Sequence, residues 1–207
     1  MKIAILGTGN MGAGFAEALA AKHDVIIGGR DLVKASAIAE KTGHGVIGGG
    51  IAAAVKMADV VLLALPFSAV EEALNEVGTM QGKVLIDITN PVTEDFSGLS
   101  IGHTTSAAEA IQALAPSAKV VKAFNTIFAQ LLPENPRTSQ KLQTFVAGDD
   151  ELAKKAVVDI ASSVGFEPVD AGPLKNARFL EPLGAMNIQF GYFLGQGATV
   201  APAWVHI

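Results

Sequence analysis

The stretch that most constrains this chain is its opening, "KIAILGTGNMG", residues 2–12. The apolar run Lys2–Leu6 reads as a buried strand, and the Ala-rich run Met11–Ala21 reads as a helix. Gly7, Gly9 and Gly12 fall at GxGxxG spacing between them. Each glycine answers a different steric demand. Gly7 allows the tight turn out of the strand, Gly9 lets the backbone approach a pyrophosphate, and Gly12 lets helix and strand pack closely. The helix then points its unpaired N–H groups at that anion. Taken alone, the glycines read equally well as a structural turn. Their place after an N-terminal apolar strand, ahead of an Ala-rich helix and a second strand at the right distance, identifies a dinucleotide-binding loop. Thr8, Asn10 and Met11 join the three glycines as expected cofactor contacts.

The same rhythm continues along the 207 residues. Strands are expected at Lys2–Leu6, Val25–Gly28, weakly near Val46, and at Val60–Ala64, Val84–Asp87, Val120–Ala123, Gln143–Ala147 and Glu167–Asp170. Helices are expected at Met11–Ala21, Leu32–Lys41, Ile51–Lys56, Ala69–Val77, Ser106–Leu114, Glu151–Val164 and Asn176–Phe193. Near-continuous apolar strands alternating with helices predict an α/β fold of the Rossmann type: a doubly wound, mostly parallel sheet covered on both faces. A small C-terminal helical extension completes it. The expected division is a dinucleotide-binding domain over 1–172 and a C-terminal helix and tail over 173–207. Leu131–Gln140, "LLPENPRTSQ", is the loopiest segment and the expected place for a change in strand order.

Composition narrows the function. A net charge of −5 with no basic run gives no support to nucleic-acid or membrane-surface binding. The absence of cysteine excludes a disulfide, a thiol nucleophile and Cys-ligated metal. His23, His44, His103 and His206 have no ligand spacing, so no catalytic metal is expected. The N-terminus starts directly with a strand and lacks a leader-like apolar stretch. The apolar runs "ADVVLLALPF" and "KVLIDI" are too short to span a bilayer. A cytoplasmic protein is the expectation.

The end of the second strand should choose between cofactors. A carboxylate there would hold a free ribose 2′-hydroxyl, as in NAD sites. This chain has Gly28, Gly29 and Arg30 instead. The glycines leave room for a 2′-phosphate, and a guanidinium can pair with it bidentately. NADP(H) is therefore the expected cofactor. The bland alternative makes Arg30 a solvated residue and Asp31 a ribose ligand or helix cap.

Three further strand ends carry candidates, because ligands in this fold lie beyond the carboxyl ends of the strands. "LLALPF" places Leu65, Pro66 and Phe67 beside the expected nicotinamide, although Phe67 also reads as core. "LIDITNPV" brings Asp87, Thr89 and Asn90 to the same edge, where an Asx turn before Pro91 explains Asn90 equally well. "VVKAFNTI" sets Asn125 and Thr126 just past another strand, with the direction of Lys122 open.

These motifs, with "DAGPLKNARFLEPL" over Asp170–Leu183, resemble the coenzyme F420-dependent NADP reductase family. Relatives of that family include the cytoplasmic oxidoreductase domains of membrane metalloreductases. The resemblance spans nearly the whole chain, and its C-terminal motif is more diagnostic than the glycine loop. It implies a Rossmann domain carrying NADP, with a deazaflavin (coenzyme F420) or flavin ring stacked over the nicotinamide and hydride passing directly between the rings. Little acid–base machinery is then required, so no catalytic side chain is expected. Relatives often place Ser or Thr where Gly29 stands, which leaves Thr8 and Arg30 for the 2′-phosphate. The archaeal deazaflavin enzymes carry His at the position of Asn125 and Pro at that of Phe128, so this chain resembles the flavin-linked or uncharacterised bacterial branch more closely.

Two other functions fit the residues. One is an NADP-dependent reductase of a small carbonyl or imine, with Lys122 or Asn125 and water as proton source. The other is an NADP-binding sensor without turnover. The 3-hydroxyacid and 6-phosphogluconate dehydrogenases share the N-terminal pattern but add a large helical domain, whereas about 30 residues follow "DAGPL" here. The apolar end "FGYFLGQGATVAPAWVHI" has too little chain to wrap its own core. It is expected to cover the ring site or to join a second subunit in a homodimer, or else to pack on its own sheet.

Overall fold

The computed structural model describes residues 1–133 and 141–205. Eight strands make one sheet: β1 (Lys2–Leu6), β2 (Asp24–Gly28), β3 (Ile47–Gly49), β4 (Val60–Leu63), β5 (Val84–Asp87), β6 (Lys119–Lys122), β7 (Gln143–Gly148) and β8 (Glu167–Asp170). Their order is β3-β2-β1-β4-β5-β6-β7-β8. Among the described residues the pairings are parallel except β6 with β7. The helices are α1 (Asn10–Leu19), α2 (Leu32–Thr42), α3 (Ile51–Met57), α4 (Val70–Val77), α5 (Ala107–Leu114), α6 (Glu151–Ser163) and α7 (Ala177–Ile188). This is the doubly wound Rossmann-type arrangement. Sequential order breaks after β3, where the chain crosses back to lay β4 beside β1. It does not break at Leu131–Gln140, whose residues 134–140 lie outside the described residues, as does His206. Strand direction reverses there instead.

Alternate strand residues serve opposite faces. Ile3, Ile5, Val25 and Ile27 pack with Phe15 and Leu19 of α1 and Val157 and Ile160 of α6. Ala4, Leu6, Val61 and Leu63 pack with α3, α4 and α5 through Ile51, Val55, Leu74 and Ile111. Both faces are covered, which is why these strands read as unbroken apolar runs. Helix starts follow their capping chemistry. The Asp31 carboxylate accepts from the Lys34 N–H at 3.0 Å, and Asp150 accepts from Ala153 at 2.9 Å. Ser106 and Glu109 form a capping pair at the head of α5.

The C-terminal end departs from expectation. The single helix expected over Asn176–Phe193 is a 3-10 turn at Leu174–Asn176, then α7, then a π-turn at Gln189–Phe193 closed by the Leu194 N–H to the Gln189 carbonyl at 2.8 Å. Gly191 lies within the π-turn. A Cβ there would lie 2.7 Å from the Phe128 ring, so the chain must present bare backbone to that ring. The glycines at 195 and 197, with φ 73° and 82°, then end the helical path. The tail returns to its own sheet: Trp204 exchanges hydrogen bonds with the Gln143 side chain at 2.6 and 3.0 Å and stacks edge-on against Phe145. Among the described residues no helix is long and apolar enough to cross a membrane.

Candidate active site

Strand register builds the site. Gly28, Leu6, Leu63, Asp87 and Lys122 stand side by side in one row across five parallel strands. The loop after each of these residues therefore opens on the same edge of the sheet. The glycine loop, Leu65–Phe67, Asn90 and Asn125 follow in that order, with the switch in chain order between β1 and β4. Crevices at such switch points are where ligands bind in open α/β sheets.

The three glycines of the loop differ sharply in their surroundings. Gly7 has φ 123°, and a Cβ on it would overlap the Ala64 carbonyl. A Cβ on Gly12 would overlap the Gly7 carbonyl. Protein packing accounts for both. Among the described residues Gly9 has nothing within 4 Å of its would-be Cβ, and its φ of −83° is ordinary, so their packing makes no demand for glycine there. The open space above it is a cradle that a Cβ would fill. Gly9 is also the cap of α1 and gives no side-chain hydrogen bond to it. The first N–H groups of α1 are thus free to receive an anion. These residues fit a pyrophosphate.

Beyond β2, Gly29 is explained differently from its sequence reading. A Cβ there would come within 2.8 Å of Thr8 Cγ2, so Gly29 lets the Arg30 turn lie close over the glycine loop. Gly28 is a packing glycine against Leu6 and Ala54. Asp31 caps α2 and is committed to that role. Arg30 Nη1 meets Glu72 Oε2 at 3.3 Å, with both side chains 71% exposed. Its guanidinium is free to swing to a ligand.

Leu65 and Phe67 are half-buried against the α3–α4–α5 face of the core, and Pro66 is exposed ahead of a 3-10 turn at Phe67–Ala69. They do not line the cavity of about 530 Å³ that opens at the head of α1. Asn10, Met11, Asn90 and Asn125 do line it, with Ile88, Thr126 and Phe128 on one side and Gly184, Asn187, Tyr192 and Phe193 on the other. Phe96 completes the rim: its carbonyl accepts from Gln189 Nε2 at 2.7 Å and its ring lies 5.9 Å from that of Phe193.

Asn125 reaches this cavity through a strained turn. Phe124 adopts φ 58°, a region that bulky residues rarely enter. Its ring is clamped edge-on by Phe15 at 5.1 Å and Phe166 at 5.6 Å, and its N–H donates to Thr144 Oγ1 at 3.0 Å. With Phe124 held inward, the next residues turn out to the site. The Asn125 amide donates to Asn90 Oδ1 at 2.9 Å and to the Leu180 carbonyl at 2.7 Å; Asn90 Nδ2 donates back to the Asn125 carbonyl at 2.7 Å. Gly184 of α7 sits on this pair, and a Cβ on it would lie 2.7 Å from Asn125 Nδ2. The two carboxamides thus fasten α7 to the sheet while facing the cavity.

Behind them lies a charge cluster that sequence reasoning missed. Lys122 is fully buried, not a solvent-facing proton donor. Its ammonium donates to Asp87 Oδ2 at 2.8 Å and the Thr89 carbonyl at 2.5 Å, and lies 2.9 Å from Glu181 Oε1. Glu181 also accepts from the N–H groups of Ala107 and Ala108 at the head of α5, at 2.8 and 3.1 Å. Asp87 accepts from the Thr89 N–H at 2.8 Å. The signal was present in outline: a lysine in one apolar strand, an aspartate in another, and a glutamate on the buried face of a helix must find one another. One turn earlier in α7, Arg178 grips Glu109 through Nε at 2.8 Å and Nη2 at 2.6 Å, and holds that carboxyl below the ordinary range. The "ARFLEPLG" run is therefore the clamp that fixes the C-terminal segment.

Residues 2–91 match the family model described as NADP oxidoreductase, coenzyme F420-dependent. The chain is 33% identical over 199 residues to the F420-dependent NADP reductase of Methanocaldococcus jannaschii, covering 88% of this chain and 89% of that protein. It is 29% identical over 183 residues to the rat metalloreductase STEAP3, of which it covers 36%. A solved structure of a candidate F420-dependent NADP-reductase from Arthrobacter sp. FB24 superposes with a TM-score of 0.87 at 32% identity over 96% of both chains. The sheet order, the glycine loop and a likeness running through the C-terminal clamp agree: the chain belongs to the coenzyme F420-dependent NADP oxidoreductase family.

Proposed function

We propose that this protein is an NADP(H)-dependent oxidoreductase that moves hydride between the nicotinamide and a deazaflavin ring of the coenzyme F420 type. The observation that carries this reading is the cavity at the head of α1. Apart from the Thr126 hydroxyl, its described lining is apolar, aromatic or carboxamide, and Tyr192 is its one titratable side chain. The two bound rings supply the redox chemistry. The chain supplies the rest. Gly7, Gly9, Gly12 and the α1 N-terminus hold the pyrophosphate, with Thr8, Asn10 and Met11 beside it. Gly29 and Arg30 serve the 2′-phosphate. Leu65, Pro66 and Phe67 flank the nicotinamide ribose, and Asn90 and Asn125 with the aromatic rim fix the ring plane and exclude water.

Residues 1–172 form the NADP-binding body in this reading, and 173–207 shape the acceptor side through Gly184, Asn187 and the π-turn. A flavin is the other ring the cavity would take. Phe179 and Trp204, 73% and 65% exposed, border an apolar groove with Leu183 and Val169, the surface on which we expect a second subunit. The test is NADPH and NADH titration, then stopped-flow oxidation of bound NADPH by coenzyme F420, FMN and FAD in turn. Rapid turnover with F420 is expected. Selective NADPH binding without oxidation by any ring would overturn the acceptor assignment and leave the cofactor site standing.

A further inference from the structure

Glu72 faces Arg30 across the glycine loop and has no role in the proposed hydride transfer. Strand order sets β2 on one side of β1 and β4 on the other. Arg30 follows β2, and Glu72 lies in the first turn of α4, after β4. The Gly29 backbone lies close over Thr8, so the Arg30–Glu72 pair spans the end of β1 like a strap. Both side chains are 71% exposed, and packing fixes neither. The neighbouring Asp31 carboxylate is committed to the Lys34 N–H, which leaves Glu72 as the acid that meets the guanidinium.

We propose that Glu72 is a specificity-determining residue: it competes with the 2′-phosphate of the cofactor for Arg30, and so weakens NADP(H) binding while leaving NAD(H) binding alone. The proposal rests on the NADP(H) site read above. A phosphate and a carboxylate ask for the same face of a guanidinium. To take the phosphate, Arg30 must release Glu72, and that lost contact is subtracted from the affinity. A ribose 2′-hydroxyl makes no such demand, so NAD(H) does not open the pair. The residue trades tightness for release of a cofactor that must leave on every turnover.

The experiment is calorimetric titration of the whole chain with NADPH, NADH and adenosine 2′,5′-bisphosphate, the last isolating the adenosine end. The variants are Glu72→Gln, Glu71→Gln, Arg30→Gln and the Glu72→Gln/Arg30→Gln double. Glu71 stands on the same exposed turn, so its variant removes the same charge and the same helix-end interaction without touching Arg30. Glu72→Gln is expected to tighten NADPH and the bisphosphate by about two- to fivefold, as suits one exposed pair. NADH should not change, the Glu71 variant should behave as native, and the gain should vanish without Arg30. Equal effects of Glu71→Gln and Glu72→Gln, no gain at all, or a gain that survives loss of Arg30 would overturn the competition. An Arg30→Gln variant that keeps its NADPH preference would sink the cofactor reading itself. One that loses the preference while Glu72→Gln does nothing would sink this proposal alone.

Discussion

At one end of the site, Arg30 meets Glu72 at 3.3 Å with both side chains in solvent; at the other, Lys122 meets Asp87 at 2.8 Å and Glu181 at 2.9 Å with all three out of it. The exposed pair is weak and can be re-partnered, which suits a contact that must exchange with a ligand. The buried cluster has no water to fall back on. Its ammonium has three oxygen partners, and its carboxylates also take backbone N–H groups. That suits a joint that must not move, because it ties β5, β6, the head of α5 and α7 together behind the cavity. In the proposed site, charge would serve selection at one end and alignment at the other.

The sharpest way to break this contrast is Lys122→Met. It leaves two carboxylates buried against each other, and should destabilise the fold by about 3–5 kcal/mol. In a chain of this size that lowers the Tm on the order of 10 °C. Glu72→Gln should leave the Tm within about 1 °C of native. Thermal unfolding of the two variants side by side checks both, and similar shifts would remove the distinction. Gly184→Ala comes next. Alanine is the better helix former by about 1 kcal/mol, yet its Cβ would press on Asn90 and Asn125, and overpacking of this kind typically costs about 1–3 kcal/mol. The informative readout is functional: hydride transfer should fall while NADPH affinity holds, because the displaced carboxamides face the cavity and not the phosphate loop.

A smaller effect follows from the outer part of the clamp. The Arg178 hydrogen bonds hold the Glu109 carboxyl below its ordinary value of 4.5. A carboxyl depressed on folding adds stability above that value and loses it as pH falls. Arg178→Gln should therefore lower stability at neutral pH, and only slightly, because the guanidinium is one-third exposed. The variant and native curves should converge only as pH falls through the depressed Glu109 value and the carboxyl protonates in both. Denaturant unfolding across that range tests it, and a gap that stays constant with pH would detach the pair from the clamp.

The contrast also explains what could be read from the sequence. The strands and helices through α6 lie within a residue or two of their periodicity, and the row of strand ends follows from the βα rhythm. The glycine loop was legible because its logic is local: three positions within six residues each answer one steric need. The reason for Gly29 was not, since Thr8 Cγ2 is a contact across strands. The Lys122 cluster joins residues 87, 122 and 181, each bland in its own neighbourhood, and no period links them. The need for Gly191 was hidden in the same way, because it arises only once the Phe128 ring lies against it. Local chemistry was readable, and chemistry assembled by packing was not.

The smallest expected effect decides most about the reaction. Tyr192 is the one titratable side chain along the described cavity wall, 57% exposed, with its ring 5.1 Å from that of Phe128. Reduction of a carbonyl or imine needs a proton at the acceptor atom as hydride arrives, and a positioned donor contributes about 10²–10⁴-fold. Lys122 is sealed in its ion pairs, and Asn125 has both amide protons engaged. The phenol of Tyr192 would have to act. Hydride transfer to a deazaflavin leaves a delocalised anion on the reduced ring, which takes its proton from solvent afterwards. The transfer itself needs no positioned donor, only a flat aromatic edge, which phenylalanine supplies as well. Tyr192→Phe should therefore leave the rate of NADPH oxidation by coenzyme F420 within about twofold of native, since only the hydroxyl is lost and aromatic packing is retained. A loss of a hundredfold or more would make the Tyr192 hydroxyl a proton donor in the transfer and overturn the reading that the two rings suffice.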